Sequence, residues 1–174
     1  MSMAVLVVAI VPALLMAAAL FDLTTYTIPN LLPGTMIVLF AVFMLTLAAG
    51  GHPMSWNDIG LHLLAGVIGL FLGMGMFAVG WVGGGDAKLF AATLLWLGWG
   101  ALYQYVILAL LLGGVLTAGL IVLRRVPLPL VLAKLPWLVR LADPKAGVPY
   151  GVTLAIAALH VLPDTEVFRL AAVS

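Results

Sequence analysis

The chain has 174 residues, of which 66% are hydrophobic and 7% charged, with a net charge of +1 and no cysteine. Soluble domains carry roughly 25% charged residues, so this composition excludes an ordinary soluble domain and indicates a protein embedded in lipid. The small net charge argues against a nucleic-acid partner, and the lack of cysteine excludes disulfides, thiol nucleophiles and cysteine-ligated zinc.

Apolar runs separated by polar residues predict an all-α, polytopic membrane protein with about six transmembrane helices. The predicted spans are about 3–21, 32–50, 59–82, 88–99, 101–123 and 147–162. The first run follows no Lys or Arg and exceeds the apolar length of a signal peptide, so we expect a retained helix. The fourth is short, and either packs against protein or joins the fifth across residues 98–100. We interpret residues 1–174 as a single integral-membrane domain.

The positions of the basic residues agree with this topology. If the first helix runs inward, only Arg169 among the basic residues falls outside, as the positive-inside rule requires. The inner basic residues are Lys88, Arg124, Arg125, Lys134, Arg140 and Lys145. Residues 124–147 mix these charges with apolar residues and prolines, so we expect a segment lying along the membrane surface. It serves either as an anchor or as a lip that docks substrate.

Two of the six acidic residues, Asp22 and Asp86, adjoin long apolar runs, where a charge is costly and therefore suggests function. The chain crosses the membrane twice between them, so both lie on the same face. Two carboxylates brought together titrate as a coupled pair and supply an acid and a base at once. In peptide hydrolysis one takes a proton from water and the other donates to the carbonyl oxygen. The remaining acids are expected in loops or tails, with Asp58 capping the third helix.

The residues around Asp86 fit such a site. Gly83, Gly84 and Gly85 precede it and remove side chains, so that a peptide and a water can approach the carboxylate. Lys88 either anchors the helix end at the headgroups or steadies a carboxylate.

Other polar residues have structural explanations. Pro29 and Asn30 suit the start and cap of the second helix. Tyr150 either belongs to an interfacial belt or hydrogen-bonds near the site. The histidines at 52, 62 and 160 lack metal-ligand spacing, so we expect interfacial or helix-lining side chains, and neither a metal nor a cofactor is predicted.

Three motifs carry a family resemblance. Residues 83–89 read Gly-Gly-Gly-Asp-Ala-Lys-Leu, which resembles the signature of type IV prepilin peptidases, a branch of the GxGD membrane aspartic proteases that also include presenilin. Asp22 followed by Ile28-Pro29-Asn30 is similar to their first catalytic region. The stretch Val148-Pro149-Tyr150-Gly151-Val152 resembles the opening of the last helix in the short members that serve Flp or tight-adherence pili.

The resemblance implies that Asp22 and Asp86 are the catalytic pair of an aspartic endopeptidase in the bacterial inner membrane. The implied substrate is a prepilin, cut at the cytoplasmic face after a glycine that ends a basic leader, with pilus or secretion assembly machinery as a further partner. The implied supporting residues are Gly83, Gly84, Gly85, Lys88, Pro29, Asn30, Pro149, Tyr150 and Gly151. Thr24 stands where short members often carry a basic residue. The cysteine-rich insert of the long members is absent, so neither zinc nor N-methyltransferase activity is implied.

Two alternatives belong to other classes. A small membrane transporter or proton-relay subunit would use the same two aspartates to carry ions. A pilus-assembly scaffold would use neither. The expected position of both acids at one face, rather than at the midplane where transport sites cluster, favours hydrolysis.

Overall fold

The structure is a computed structural model that describes residues 6–50, 54–126, 128, 129 and 131–173. Helices dominate these residues and no strand occurs among them, which confirms the predicted all-α class. The predicted start of the first span at residue 3, and His52, lie outside the described residues.

The helices follow the predicted apolar runs. A π-helical turn, Leu6–Ile10, leads into α1, Val11–Thr25, and this is followed by α2, Leu31–Ala49, and α3, Trp56–Ala78. The longest helix, α4, spans Gly84–Leu123. The later elements are a 3-10 turn at Leu132–Lys134, α5 at Pro136–Ala142, α6 at Tyr150–Val161, a 3-10 turn at Leu162–Asp164 and α7 at Glu166–Val173.

Helix α4 breaks at Gly98, whose φ of 74° and ψ of 178° are not helical. This left-handed φ favours glycine, and a methyl group there would stand 2.7 Å from the His62 ring. Without a break, a helix of this length would extend about 60 Å, twice the roughly 30 Å hydrocarbon core. The expected turn flanked by Gly98 and Gly100 is wrong, because the helix resumes directly after Gly98 and Gly100 is helical.

The first half of α4, residues 84–97, forms the centre of the bundle. Its side chains from Leu89 to Leu97 are all buried, which agrees with the prediction that the short fourth span packs against protein. Helix α3 packs along it through two glycines: a methyl group at Gly69 would stand 2.7 Å from a Leu94 methyl, and one at Gly73 would stand 2.9 Å from the Ala87 Cα. Helices α2 and α6 pack against other sides of α4, and α1 packs on α6.

The two ends of α3 are fixed in different ways. Gly80 lies in the turn after α3 with a φ of 77°. At the other end, the predicted cap by Asp58 is wrong. Ser55 is the capping residue, because its Oγ accepts from the Asp58 N–H at 3.1 Å.

The fold is that of a membrane protein. Helices α2, α3 and α4 are long and apolar enough to cross a bilayer, while Val11–Thr25 and Tyr150–Asp164 are shorter apolar helices. Large apolar side chains cover much of the outer surface, as lipid contact requires; Leu45, for example, is 70% exposed. The total of six spans stays a prediction.

The predicted surface segment folds back onto the end of the bundle through α5, which packs against α1 and α4. Arg124, at the end of α4, donates from Nε to the Leu141 carbonyl at 3.1 Å and from a terminal guanidinium nitrogen to the Gly147 carbonyl at 2.7 Å. These bonds hold the end of the segment, residues 141–147, against its own first residue, Arg124. The position of the segment along a membrane surface stays a prediction.

Candidate active site

Asp22 lies in the last turn of α1, which ends because Tyr26 adopts a left-handed backbone with a φ of 57°. The Tyr26 N–H donates to the Asp22 carbonyl at 2.9 Å and closes this turn. The Asp22 side chain is 4% exposed, and its Oδ2 accepts a hydrogen bond of 2.6 Å from the Gly151 N–H. A backbone amide from a distant part of the sequence therefore holds this buried carboxylate.

Asp86 lies in the first turn of α4. The Gly83 N–H donates to its Oδ2 at 3.0 Å, so the carboxylate closes the start of its own helix. A negative charge is favoured there, because the unpaired N–H groups of a first turn carry partial positive charge. The side chain is 8% exposed, and its Oδ1 is buried without a hydrogen-bond partner among the described residues. One carboxylate oxygen is thus fixed and the other is free.

The N-terminus of α6 meets both carboxylates. The Gly151 N–H, which bonds to Asp22, also lies close to the Asp86 carboxylate, and the Val152 N–H lies close to Asp22. The two carboxylates lie close enough to interact electrostatically. The structure therefore brings the two predicted aspartates together at one end of the bundle, as two membrane crossings between them imply.

Ile28 fills the space between two glycines of the site. A methyl group at Gly85 would stand 3.0 Å from the Ile28 Cβ, and one at Gly151 would stand 2.6 Å from the Ile28 Cδ1 and 2.9 Å from the Asp22 Oδ2. Both positions need glycine so that the loop after α1 can reach the helices that carry and hold the acids. The expectation that the glycine run admits substrate is wrong at Gly85, because Ile28 occupies that space.

The other two glycines of the run have different roles. Gly83 supplies the N–H that holds Asp86. Gly84 packs under an aromatic ring, since a methyl group there would stand 3.5 Å from Phe77. A methyl group at Gly83 would stand 3.1 Å from the Asp86 Oδ2, so close packing favours glycine at Gly83 and Gly85 but not at Gly84.

Two basic side chains hold the loop between α1 and α2. Lys88 Nζ donates to Asn30 Oδ1 at 2.8 Å. Arg140 donates to the Thr25 carbonyl at 3.2 Å, and its guanidinium lies 5.9 Å from the centre of the Tyr26 ring. Asn30 makes no side-chain cap on α2, so that prediction is wrong, and Lys88 steadies this loop rather than a carboxylate.

The prolines and Tyr150 position helix starts. The Pro29 carbonyl accepts from the Leu32 N–H at 3.0 Å, and Pro149 directly precedes α6. The Tyr150 ring packs beside Gly113, where a methyl group would stand 3.4 Å from it. Tyr150 therefore contacts the inside of the bundle close to the two acids.

A cavity of about 720 Å³ opens beside Asp86. Its walls come from the end of α3, residues 81 and 82, both halves of α4 and the first turns of α6. The side chains that line it are mostly apolar. Asp86 lines the cavity, whereas Asp22 does not.

The described histidines lie away from the two acids. His62 is 4% exposed, and its Nδ1 donates to the Leu95 carbonyl at 2.8 Å, so it is a helix-lining side chain. His160 is exposed near the end of α6. Within the described part of the chain, no three His, Asp or Glu side chains converge to hold a metal ion.

A sequence model of the type IV leader peptidase family matches residues 9–118, more than half of the chain. The chain belongs to this family. It is therefore a leader peptidase-like protease embedded in a membrane, and the matched region contains both Asp22 and Asp86. Residues 149–151 lie beyond the match, so their place in the site rests on the contacts described above. No curated protein and no solved structure matches the chain.

Sequence reasoning missed two contributors to the peptidase site. Ile28 was noticed only as part of a motif, although it separates two site glycines, and an apolar residue followed by proline after the first acid was the available signal. Arg140 was counted only as a surface charge, and nothing local in the sequence indicates that it reaches Thr25.

Proposed function

We propose that this peptidase is an aspartic endopeptidase that removes the basic leader of a prepilin at the cytoplasmic face of the bacterial inner membrane. The observation that carries the proposal is the buried pair Asp22 and Asp86, which lie close to the same backbone amide, with Asp86 lining a cavity. Bilayer and prepilin are its partners, and pilus or secretion machinery receives the product.

The chemistry follows from two neighbouring carboxyl groups that hold one proton and one negative charge between them. The charged group takes a proton from a water molecule as the water oxygen attacks the peptide carbonyl. The neutral group donates its proton to the carbonyl oxygen. As the C–N bond breaks, the group that took the water proton gives it to the leaving nitrogen, and the other group takes back a hydroxyl proton as the carboxyl product forms. The Gly83 N–H holds one oxygen of Asp86 and the Gly151 N–H holds one oxygen of Asp22, which leaves the Asp86 Oδ1 unpaired for proton transfer.

The test is co-expression with a candidate prepilin. We expect Asp22→Asn and Asp86→Asn each to lower leader removal by at least about 100-fold, because each removes one proton-transfer group while keeping its size. Asp164→Asn is the matched control, since Asp164 is an exposed acid near the C-terminal end of α6. Gel mobility and mass of the pilin report cleavage.

Normal processing by either site variant would refute the two-acid mechanism. A transport protein would behave differently: both substitutions would change ion flux and leave the pilin length unchanged. Loss of cleavage in Asp164→Asn as well would point to a general folding defect rather than to the site.

The proposed face can be tested because the chain has no cysteine, so an introduced one is the only thiol. Lys145 lies in the segment that folds over the acids, and Asn57 lies in the first turn of α3, at the other end. We expect a membrane-impermeant thiol reagent to label Asn57→Cys in intact spheroplasts and Lys145→Cys only after permeabilisation. The reverse pattern would place the acids outside.

A further inference from the structure

A pocket of about 250 Å³ lies at the other end of the bundle, where the start of α3 meets the break in α4 and the first residues of α7. Gly98, which lines it, is about 18 Å along α4 from Asp86. We propose that this pocket binds a phosphoethanolamine group, the head group of an ethanolamine phospholipid. The inference does not depend on the proposed function, because the pocket shares no lining residue with the cavity beside Asp86.

The buried ring of His62 presents an unpaired nitrogen to this pocket. The side chain is 4% exposed, and its Nδ1 bonds to the Leu95 carbonyl at 2.8 Å. A carbonyl only accepts, so the proton of the neutral ring lies on Nδ1 and Nε2 is an acceptor. Nε2 has no hydrogen-bond partner among the described residues, and a methyl group at Gly98 would stand 2.7 Å from it. A ligand in the pocket therefore meets an acceptor that is already held in place.

The charged lining of the pocket is acidic overall. It consists of three carboxylates and one guanidinium, from Asp58, Asp164, Glu166 and Arg169. An acceptor nitrogen beside an excess of negative charge favours a cation that donates hydrogen bonds. Among the described residues, no three His, Asp or Glu side chains converge on a metal position, so the fitting cation is polyatomic. A primary ammonium group has the charge and three N–H donors.

Arg169 indicates what accompanies the ammonium group. Its side chain is exposed and forms no hydrogen bond or ion pair with another described residue. It is also the basic residue that the predicted topology leaves apart from all the others. A guanidinium donates parallel N–H groups to phosphate oxygens. A ligand with an ammonium group next to a phosphate therefore satisfies both the acidic lining and Arg169.

The position and size of the pocket indicate a lipid as the carrier of this group. Trp56 and Trp99, at the same end of the bundle, are 89% and 44% exposed, as is typical of side chains at head-group level. His62 lies about 6 Å further along α3 than Asp58, so the pocket extends inward from that level. Its volume is several times the roughly 30 Å³ of a water but below the roughly 300 Å³ of a small drug site. It therefore takes a head group and not an acyl chain.

The test compares phospholipids that share their acyl chains and differ in the head-group nitrogen. Native mass spectrometry of the purified, delipidated full chain reports the apparent Kd of each lipid. We expect the ethanolamine lipid to bind at least about tenfold more tightly than the choline lipid, whose nitrogen carries no N–H, with the N,N-dimethyl lipid between them.

Variants connect this preference to the pocket. In His62→Phe the ratio of the two Kd values should fall to within about twofold of one, because the ring keeps its shape and loses Nε2. His160→Phe is the matched control, since His160 is exposed near the same end but does not line the pocket. Arg169→Gln should weaken both lipids by about the same factor, roughly threefold, because both carry the phosphate.

Equal Kd values for the ethanolamine and choline lipids would overturn the inference, as would an unchanged ratio in His62→Phe. If His62→Phe does not fold, Glu166→Gln decides, since Glu166 is exposed and its loss should lower the ratio about threefold. Asp143→Asn, an exposed acid outside the pocket, should then keep the wild-type ratio. A Kd of soluble phosphoethanolamine equal to that of the lipid would overturn lipid as the carrier.

Discussion

The two ends of the helix bundle both bury polar side chains but treat them differently. At the end away from the acids, His62 and Thr165 each donate to a backbone carbonyl, at 2.8 and 2.6 Å. At the acid end, the Asp86 Oδ1 is buried without a hydrogen-bond partner among the described residues. An unpaired buried polar group costs about 1–3 kcal/mol. The first end is therefore built for stability, and the second gives up stability where we place the chemistry.

The substitution with the largest expected effect on this difference between the two ends is Gly151→Ala at the acid end. The added methyl group would stand 2.6 Å from the Ile28 Cδ1 and 2.9 Å from the Asp22 Oδ2, so one of them must move. A displacement of about 1 Å can cost 100-fold in rate, and we expect a loss of that order in prepilin cleavage. Gly147→Ala is the control, since a methyl group there meets nothing within 4 Å. Full activity of Gly151→Ala would mean that close approach to Asp22 is not needed.

The matching change at the other end is Gly98→Ala. It forces a side chain into a left-handed conformation and places it 2.7 Å from the His62 ring. We expect the free energy of unfolding in detergent to fall by about 2–4 kcal/mol, with cleavage per folded molecule unchanged. Gly100→Ala should leave cleavage unchanged and should not lower the free energy of unfolding, because its surroundings are open and alanine favours a helix. A loss of activity in folded Gly98→Ala would show that the far end controls the acids.

The smallest expected effect concerns the tie between Lys88 and Asn30 at the acid end. Losing one hydrogen bond of this kind costs about 1 kcal/mol, so Lys88→Met should lower the cleavage rate about fivefold by loosening the loop that carries Ile28. Lys134→Met, which removes another exposed lysine, is the control.

A comparison of single and double variants isolates the hydrogen bond between Lys88 and Asn30. Asn30→Ala should reproduce the effect of Lys88→Met, and the double variant should lose no more than either single one, because both remove the same bond. Additive losses would show that the two residues act separately.

The main helices and the pairing of the acids were predictable from the sequence. Long apolar runs determine the helices in lipid, and an even number of crossings between Asp22 and Asp86 requires one face whatever the packing. The glycine at position 98 correctly indicated where the helix breaks. The sequence did not show that the break is a kink and not a turn. Whether a glycine makes a turn or only a kink depends on its neighbour His62, which is distant in the sequence.

The details of the site could not be predicted, because they depend on contacts between distant segments. Gly85 looked like an opening for substrate, yet the loop after α1 fills it with Ile28. Asn30 looked like a cap, yet a lysine 58 positions later takes its oxygen. The cavity beside Asp86 is formed by parts of α3, α4 and α6, so no local pattern indicates it.

The Ile28 side chain influences the spacing of the acid pair. It has no charge, donates no proton and forms no bond to substrate, yet it lies against the backbones that carry one acid and hold the other. The spacing between the backbone segments that carry Asp86 and hold Asp22 therefore depends on the bulk of this one aliphatic side chain. Replacing Ile28 by a smaller or larger aliphatic residue would change the reactivity of the acid pair while leaving every reacting group in the protein unaltered.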